Sequence, residues 1–234
     1  MLLSEAEAIM RQVRAHFAAG AKSGNKAYAA SADVSLDPKG HKLDEVLSKL
    51  SPSASPIAKG ADEVDDHTRR NQNVVIAMSQ ILKLRNDGEK DTAIAYGQRI
   101  LDGGIRVGNC TEMACVAACL VSKKVGPEID IAIVVTDGPG DHVFCVVGEA
   151  SGWDSVRDVP ENVASAIVID PWANVCCTAD EYERTFAAKM KVWLGQGKRI
   201  AAGGRDWLAP DKAYVDKIRY SSLDLRNARN SSAL

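Results

Sequence analysis

The run from Asn109 to Lys123 is compact, apolar and rich in alanine, and three β-type runs follow it: Ile129 to Thr136, His142 to Val147 and Ala166 to Asp170. A helix of that composition must bury a face, and its small Ala side chains let a sheet approach closely. Asp137-Gly138-Pro139-Gly140 places turn formers between the first two runs, so these are expected to pair as an antiparallel hairpin with a somewhat long loop. Thr178 to Leu194 then reads as a further amphipathic helix. That order predicts an α+β fold in which a central helix packs on an antiparallel sheet.

The first third is compositionally weaker. Ala8, Ile9, Val13 and Phe17 recur at helical spacing from Ser4 to Ala19, behind a Ser4-x-x-Glu7 capping box. Gly20 to Gly60 is rich in Ser, Ala, Lys, Gly and Pro and reads as a loop or flexible arm with one short amphipathic helix over Lys42 to Leu50. Helical patterns resume from Asp65 to Leu84, stopping near Asn86-Asp87-Gly88, and from Asp91 to Leu101, stopping at Gly103-Gly104. Three parts follow: residues 1–64 as an N-terminal helix and arm, 65–196 as the core, and 197–234 as a C-terminal extension packed partly on that core. The extension carries eight Lys or Arg against four Asp, a solvated basic face or a docking surface for an acidic partner.

At 234 residues the chain can bury a core without staples. Its 29 Lys and Arg against 31 Asp and Glu give a formal charge of −2, which argues against general nucleic-acid binding. The longest uncharged apolar stretch, Met113 to Ser122, is about half of what a spanning helix needs. Met1 to Met10 carries Glu5 and Glu7 where a secretory leader should be basic, so membrane insertion and signal-peptide secretion are disfavoured. Cysteines 110, 115, 119, 145, 176 and 177 form neither a disulfide framework nor a CxxC pair, which favours a reducing, cytoplasmic-type compartment and no structural metal. Cys115, Cys119 and Cys145 read as small buried apolar groups, and vicinal Cys176-Cys177 as incidental.

Gly108-Asn109-Cys110-Thr111-Glu112-Met113-Ala114 carries the chemistry. With Asn109 at the N-cap, Glu112 falls at N3 as the other half of a capping box, and Cys110 becomes the first helical residue. There a sulfur faces unsatisfied N–H groups and the positive end of the helix dipole, which favour its nucleophilic form. Such a nucleophile needs a base and a group to orient that base. His142 opens a strand that puts His142, Phe144 and Val146 on one face, with the imidazole at the strand's entry and within reach of solvent. His16, His41 and His67 read as solvated surface groups. Ile167-Val168-Ile169-Asp170 ends on an acid that is costly to bury unless it accepts hydrogen bonds, and an imidazole N–H is a suitable donor. Asp141 is a rival orienter, and Trp172 either shields the His–Asp bond from water or simply packs.

Gly-x-Cys-x-x-x-Ala at a helix start, a strand His and a strand-ending Asp-Pro-Trp resemble the transglutaminase-like branch of the papain-like cysteine enzymes, over Arg106 to Trp172. The resemblance implies a papain-like core with a helical N-terminal part, Cys110 as nucleophile, His142 as general base and acid, and Asp170 holding the imidazole tautomer. It implies a cysteine-dependent amide hydrolase, a protease or glutamine deamidase, acting on a protein substrate with neither cofactor nor metal. Bacterial virulence effectors of both kinds look alike in this respect, which leaves room for a secretion chaperone and for export into a host cell without a cleaved signal peptide. Residues 104–109 lack the Gln that papain-like proteases place before the Cys. The oxyanion hole then falls to the Cys110 N–H and a second donor, for which Asn109 is nearest and Gln98 and Gln72 are weaker candidates. Transfer to an amine in place of water would make the same machinery a transglutaminase, and a non-catalytic interaction module is the reading from another class.

Overall fold

The computed structural model describes residues 1–18, 26–28, 80–137, 142–202 and 206–232. The arm over 20–60, its short helix, most of the pattern from 65 to 84, the hairpin turn at 138–140, His41, His67, Gln72 and Asp141 lie wholly or largely outside these. The described residues form α1 (Leu3–Ala18), β1 (Lys26–Tyr28), α2 (residues 80–87), α3 (Ala93–Asp102), α4 (Cys110–Ser122), β2 (Ile131–Thr136), β3 (Val143–Val147), β4 (Ile167–Asp170) and β5 (Val175–Thr178). Then come α5 (Ala179–Gly195), β6 (Lys198–Ala202), β7 (Asp206–Leu208), α6 (Lys212–Arg219) and β8 (Leu223–Asn227). The chain is therefore α+β.

The main sheet has five antiparallel strands in the order β5-β4-β3-β2-β8. β2 and β3 form the expected hairpin, with Ile131 opposite Val147 and Val135 opposite Val143. A second, three-stranded antiparallel sheet has the order β1-β6-β7. Alternation along β3 separates two environments. Cys145 points toward α4, where it neighbours Cys115 electrostatically, while Phe144 meets the Tyr182 ring of α5 at 4.5 Å. The sheet thus lies between α4, with α1 beside it and α3 behind, and α5 on the opposite face.

The central helix α4 has almost no solvent face: Cys110, Glu112–Cys119 and Val121 are all buried. Gly97 lets α3 come this close, since a Cβ there would stand 2.2 Å from the Cys115 carbonyl oxygen. Thr92 caps α3, its Oγ1 accepting from the Ala95 N–H at 3.3 Å, and Gly103 ends it as anticipated.

Several expectations change. The buried stripe of α1 is Ala6, Ile9, Val13 and Phe17, not one that includes Ala8. Its N-terminal cap is also different: Glu5 reaches back to the Leu2 N–H at 2.7 Å, while Glu7 pairs with Arg11 along the helix. The C-terminal extension packs on the core, and so does the N-terminal helix. α1 shares the core cluster with α4, and β8, from within the C-terminal extension, is the edge strand of the main sheet beside β2. Part of the extension's positive charge is paired, as in Arg219–Glu183 at 2.9 Å and Arg226–Asp224 at 2.8 Å. No helix among the described residues is long and apolar enough to cross a membrane.

Gly97→Ala is expected to lower stability by about 1–3 kcal/mol, because the added methyl overlaps backbone that cannot yield without parting α3 from α4. Urea denaturation of wild type and variant measures the difference, and an unchanged midpoint would contradict this close crossing.

Candidate active site

Three elements converge at the N-terminus of α4. Asn109 is the N-cap in extended conformation (φ −93°, ψ −162°), and its main-chain N–H donates to Glu112 Oε2 at 2.7 Å. Glu112 is fully buried, and its other oxygen accepts from Arg85 Nε at 2.9 Å and Tyr96 Oη at 3.3 Å. With both oxygens engaged, Glu112 holds the helix start in place. Gly108 is required one residue before the cap: a Cβ there would lie 2.7 Å from the Phe17 ring and 2.6 Å from Glu112 Cβ. Cys110 follows as the first helical residue, 4% exposed.

The turn before the cap is also tied to α1. His16 Nε2 meets the Ile105 carbonyl at 2.7 Å, and Arg106 Nη1 meets His16 Nδ1 at 2.9 Å. That pattern fits a neutral ring with its proton on Nε2. Burial, with the Arg106 charge adding to it against the Ile105 hydrogen bond, pulls the His16 pKa below its ordinary value. His16 is therefore a bracket between α1 and the turn before Cys110, not the solvated group its isolation in sequence implied.

His142 stands immediately before β3. Its main-chain N–H donates to Thr136 Oγ1 at 3.0 Å and its carbonyl accepts from the Thr136 N–H at 2.8 Å, so the end of β2 fixes its position. The ring is 1% exposed, against the expectation that it would reach solvent, because aromatic groups enclose it. Trp172 lies 4.9 Å away between centroids, Phe186 5.3 Å and Phe144 5.9 Å. The ring nitrogen Nε2 meets Asp170 Oδ2 at 2.7 Å, and the Cys110 sulfur lies within electrostatic and hydrogen-bonding reach of the ring. Burial opposes charge on this imidazole, but the Asp170 carboxylate, its hydrogen bond and the Cys110 sulfur together hold its pKa up at about 9.

Asp170 ends β4 and is fully buried. Besides His142 it accepts from the Ala173 N–H at 2.9 Å and the Tyr182 hydroxyl at 3.0 Å, and the Arg14 guanidinium of α1 adds positive potential. The turn from β4 to β5 supplies the Ala173 N–H, with Asn174 at φ 59° completing it. Trp172 belongs to this turn, 1% exposed, and its ring also meets Trp193 at 5.1 Å.

Cys110, His142 and Asp170 are thus brought together, with Trp172 over the imidazole. Asn109 adjoins Cys110, but its own main-chain N–H is committed to Glu112. Gln98 is engaged elsewhere, donating to Asp102 at 2.5 Å and accepting from the Cys119 thiol at 3.4 Å. Burial pushes the thiols of Cys115, Cys119, Cys145, Cys176 and Cys177 upward. Among the described residues no group of three or more His, Cys, Asp or Glu side chains is arranged to hold a metal ion. Arg85, within electrostatic reach of Cys110, and Tyr182, on the Asp170 carboxylate, join the site without a signal in the sequence that distinguishes them from other surface and core residues.

Comparison of the chain with protein-family models, curated proteins and solved structures gives no significant match.

Two outcomes are expected. A His142 pKa raised in the folded chain adds stability that is fully present below the unfolded value of about 6.5 and is lost as pH rises through about 9. His16, shifted the other way, contributes only below that window. The urea midpoint of wild type should therefore fall from pH 6.5 to pH 9 more steeply than that of His142→Gln, and parallel profiles would contradict the pairing. Arg85→Ala should destabilise by about 1–3 kcal/mol, because Glu112 keeps its buried charge and loses its ionic donor. Thermal melts of Arg85→Ala and of Arg85→Ala/Glu112→Gln test this, with the double variant expected to recover part of the loss.

Proposed function

We propose that the protein is a cysteine-dependent amide hydrolase with a papain-like, transglutaminase-like core, acting on a protein substrate as a protease or glutamine deamidase. The observation that carries this reading is one chain of contacts. A helix-N-terminal thiol lies within hydrogen-bonding reach of an imidazole whose Nε2 is held by a buried, fully satisfied carboxylate. Each group has a chemical task. Cys110 passes its proton to His142 to form a thiolate–imidazolium pair, and the thiolate of that pair attacks a carboxamide or peptide carbonyl, while Asp170 stabilises the imidazolium and fixes its orientation. His142 then protonates the departing amine or ammonia, and the acyl group remains as a thioester. Water, deprotonated by His142, hydrolyses that thioester and restores the thiol. An amine in place of water would give transglutamination by the same steps.

The aromatic enclosure supports the reading in a second way. Trp172, Phe144 and Phe186 keep water from the His142–Asp170 bond, and a low local dielectric strengthens the interaction that keeps the imidazole basic.

Iodoacetamide labelling of the native protein should single out Cys110, with the other five thiols slow. Uniformly slow labelling of all six would favour the interaction module. With a substrate captured on Cys110→Ala and identified by mass spectrometry, Cys110→Ala should abolish turnover and His142→Ala should lose about 10³-fold. Asp170→Asn should lose on the order of 10³-fold as well, since an amide NH₂ would confront His142, Tyr182 or Ala173, all of which donate in the wild type, and would favour the wrong imidazole tautomer. The alkaline limb of kcat/KM should fall near pH 9, where the imidazolium loses its proton. Wild-type turnover by Cys110→Ala would sink the assignment.

A further inference from the structure

The hydroxyl of Tyr214 is buried and has no hydrogen-bond partner among the described residues. Tyr214 sits in the first turn of α6, which is fixed by the Asp211 cap: Asp211 Oδ1 accepts the Tyr214 N–H at 3.0 Å. Its side chain is 2% exposed, and the phenol lies within electrostatic reach of the Cys110 sulfur, Asp170 and Tyr182. A buried hydroxyl without a partner is costly, and such groups persist where function needs a donor that is idle in the resting state. Among the described residues, Gln98 is engaged with Asp102 and Cys119, and the Asn109 N–H is held by Glu112.

We propose that the Tyr214 hydroxyl is the second oxyanion-hole donor, acting with the Cys110 main-chain N–H on the carbonyl oxygen of the substrate. This inference rests on the hydrolase reading. As the S–C bond forms, the carbonyl π pair moves onto oxygen, and Tyr214 donates a hydrogen bond to it while keeping its proton. When the C=O bond re-forms, the C–N bond breaks and the amine or ammonia leaves with the proton held by His142. Hydrolysis of the thioester passes through a second oxyanion that the same donor meets. Burial and the neighbouring negative groups push the phenol pKa up, so Tyr214 remains a protonated donor throughout the working range.

The test compares two reactions of Cys110. Acylation by p-nitrophenyl acetate passes through an oxyanion, whereas alkylation by iodoacetamide does not. Tyr214→Phe should slow Cys110-dependent p-nitrophenolate release on the order of 100-fold and leave the alkylation rate unchanged. The urea midpoint should hold or rise, since the variant deletes an unpartnered polar atom and keeps the ring. Unchanged acylation, or equal slowing of both reactions, would overturn the assignment. Faster alkylation would identify Tyr214 as a cover over the thiol and would also overturn it. Cys110→Ala separates the two levels: if p-nitrophenolate release does not depend on Cys110, the hydrolase reading fails and this inference with it.

Discussion

A carboxylate cannot be buried at the end of an apolar strand unless donors meet it, and the requirements of Asp170 reach across most of the molecule. His142 comes from the start of β3, the Ala173 N–H from the turn into β5, the Tyr182 hydroxyl from α5, and the Arg14 charge from α1. Three of these groups are also anchored elsewhere. Thr136 pins His142 to β2, Asn174 adopts a left-handed conformation in the turn, and Arg14 donates to the Pro171 carbonyl at 2.8 Å. Loss of the correct sheet register would leave an ionised group in the core with donors missing, at a cost of several kcal/mol. The pair that would orient a catalytic imidazole is therefore also what makes register and helix docking interdependent.

A second constraint comes from α4, a helix with nearly every residue buried. Such a helix leaves its partners little freedom: α3 can approach only through Gly97, and the preceding turn can pack under Phe17 only because residue 108 has no side chain. Those close approaches fix the axis of α4 and with it the position of Cys110 relative to His142. Packing precision at two glycines thus becomes positional precision at a sulfur atom.

Much of the core was legible because its signals are local. α4 begins at Cys110 where the Asn109 cap and Glu112 predict it, β2 to β4 fall within two residues of the apolar runs that announce them, and His142 and Asp170 meet as the cost of burying an acid demands. Elements missed were those whose cause lies elsewhere in the chain. β5 is four residues long, contains two cysteines and runs straight into α5, so it has neither length nor flanking turn signals of its own. β8 reads Leu-Asp-Leu-Arg-Asn, with no residue fully buried, and is a strand because the open edge of β2 needs a partner. His16 looked solvated because the Ile105 carbonyl that receives it is 89 positions away. Arg85, Tyr182 and Tyr214 share that reason, since convergence at a site is a property of topology.

The electrostatics around Cys110 follow from how these residues are paired. Arg85 lies within electrostatic reach of Cys110, but Glu112 takes its guanidinium in a hydrogen-bonded ion pair. Asp170, in contrast, has its negative charge directed to His142 at 2.7 Å inside an aromatic enclosure. The positive charge that a thiolate meets is then chiefly the imidazolium, supplemented by the N–H groups of the first helical turn. This division matters for chemistry. An arginine would stabilise the sulfur anion permanently and make it a poorer nucleophile, whereas an imidazolium stabilises it and can surrender its proton to a leaving group. With the fixed charge of Arg85 paired to Glu112 and a transferable one beside the sulfur, the fold sets His142 where the proposed acyl transfer would need its acid and base.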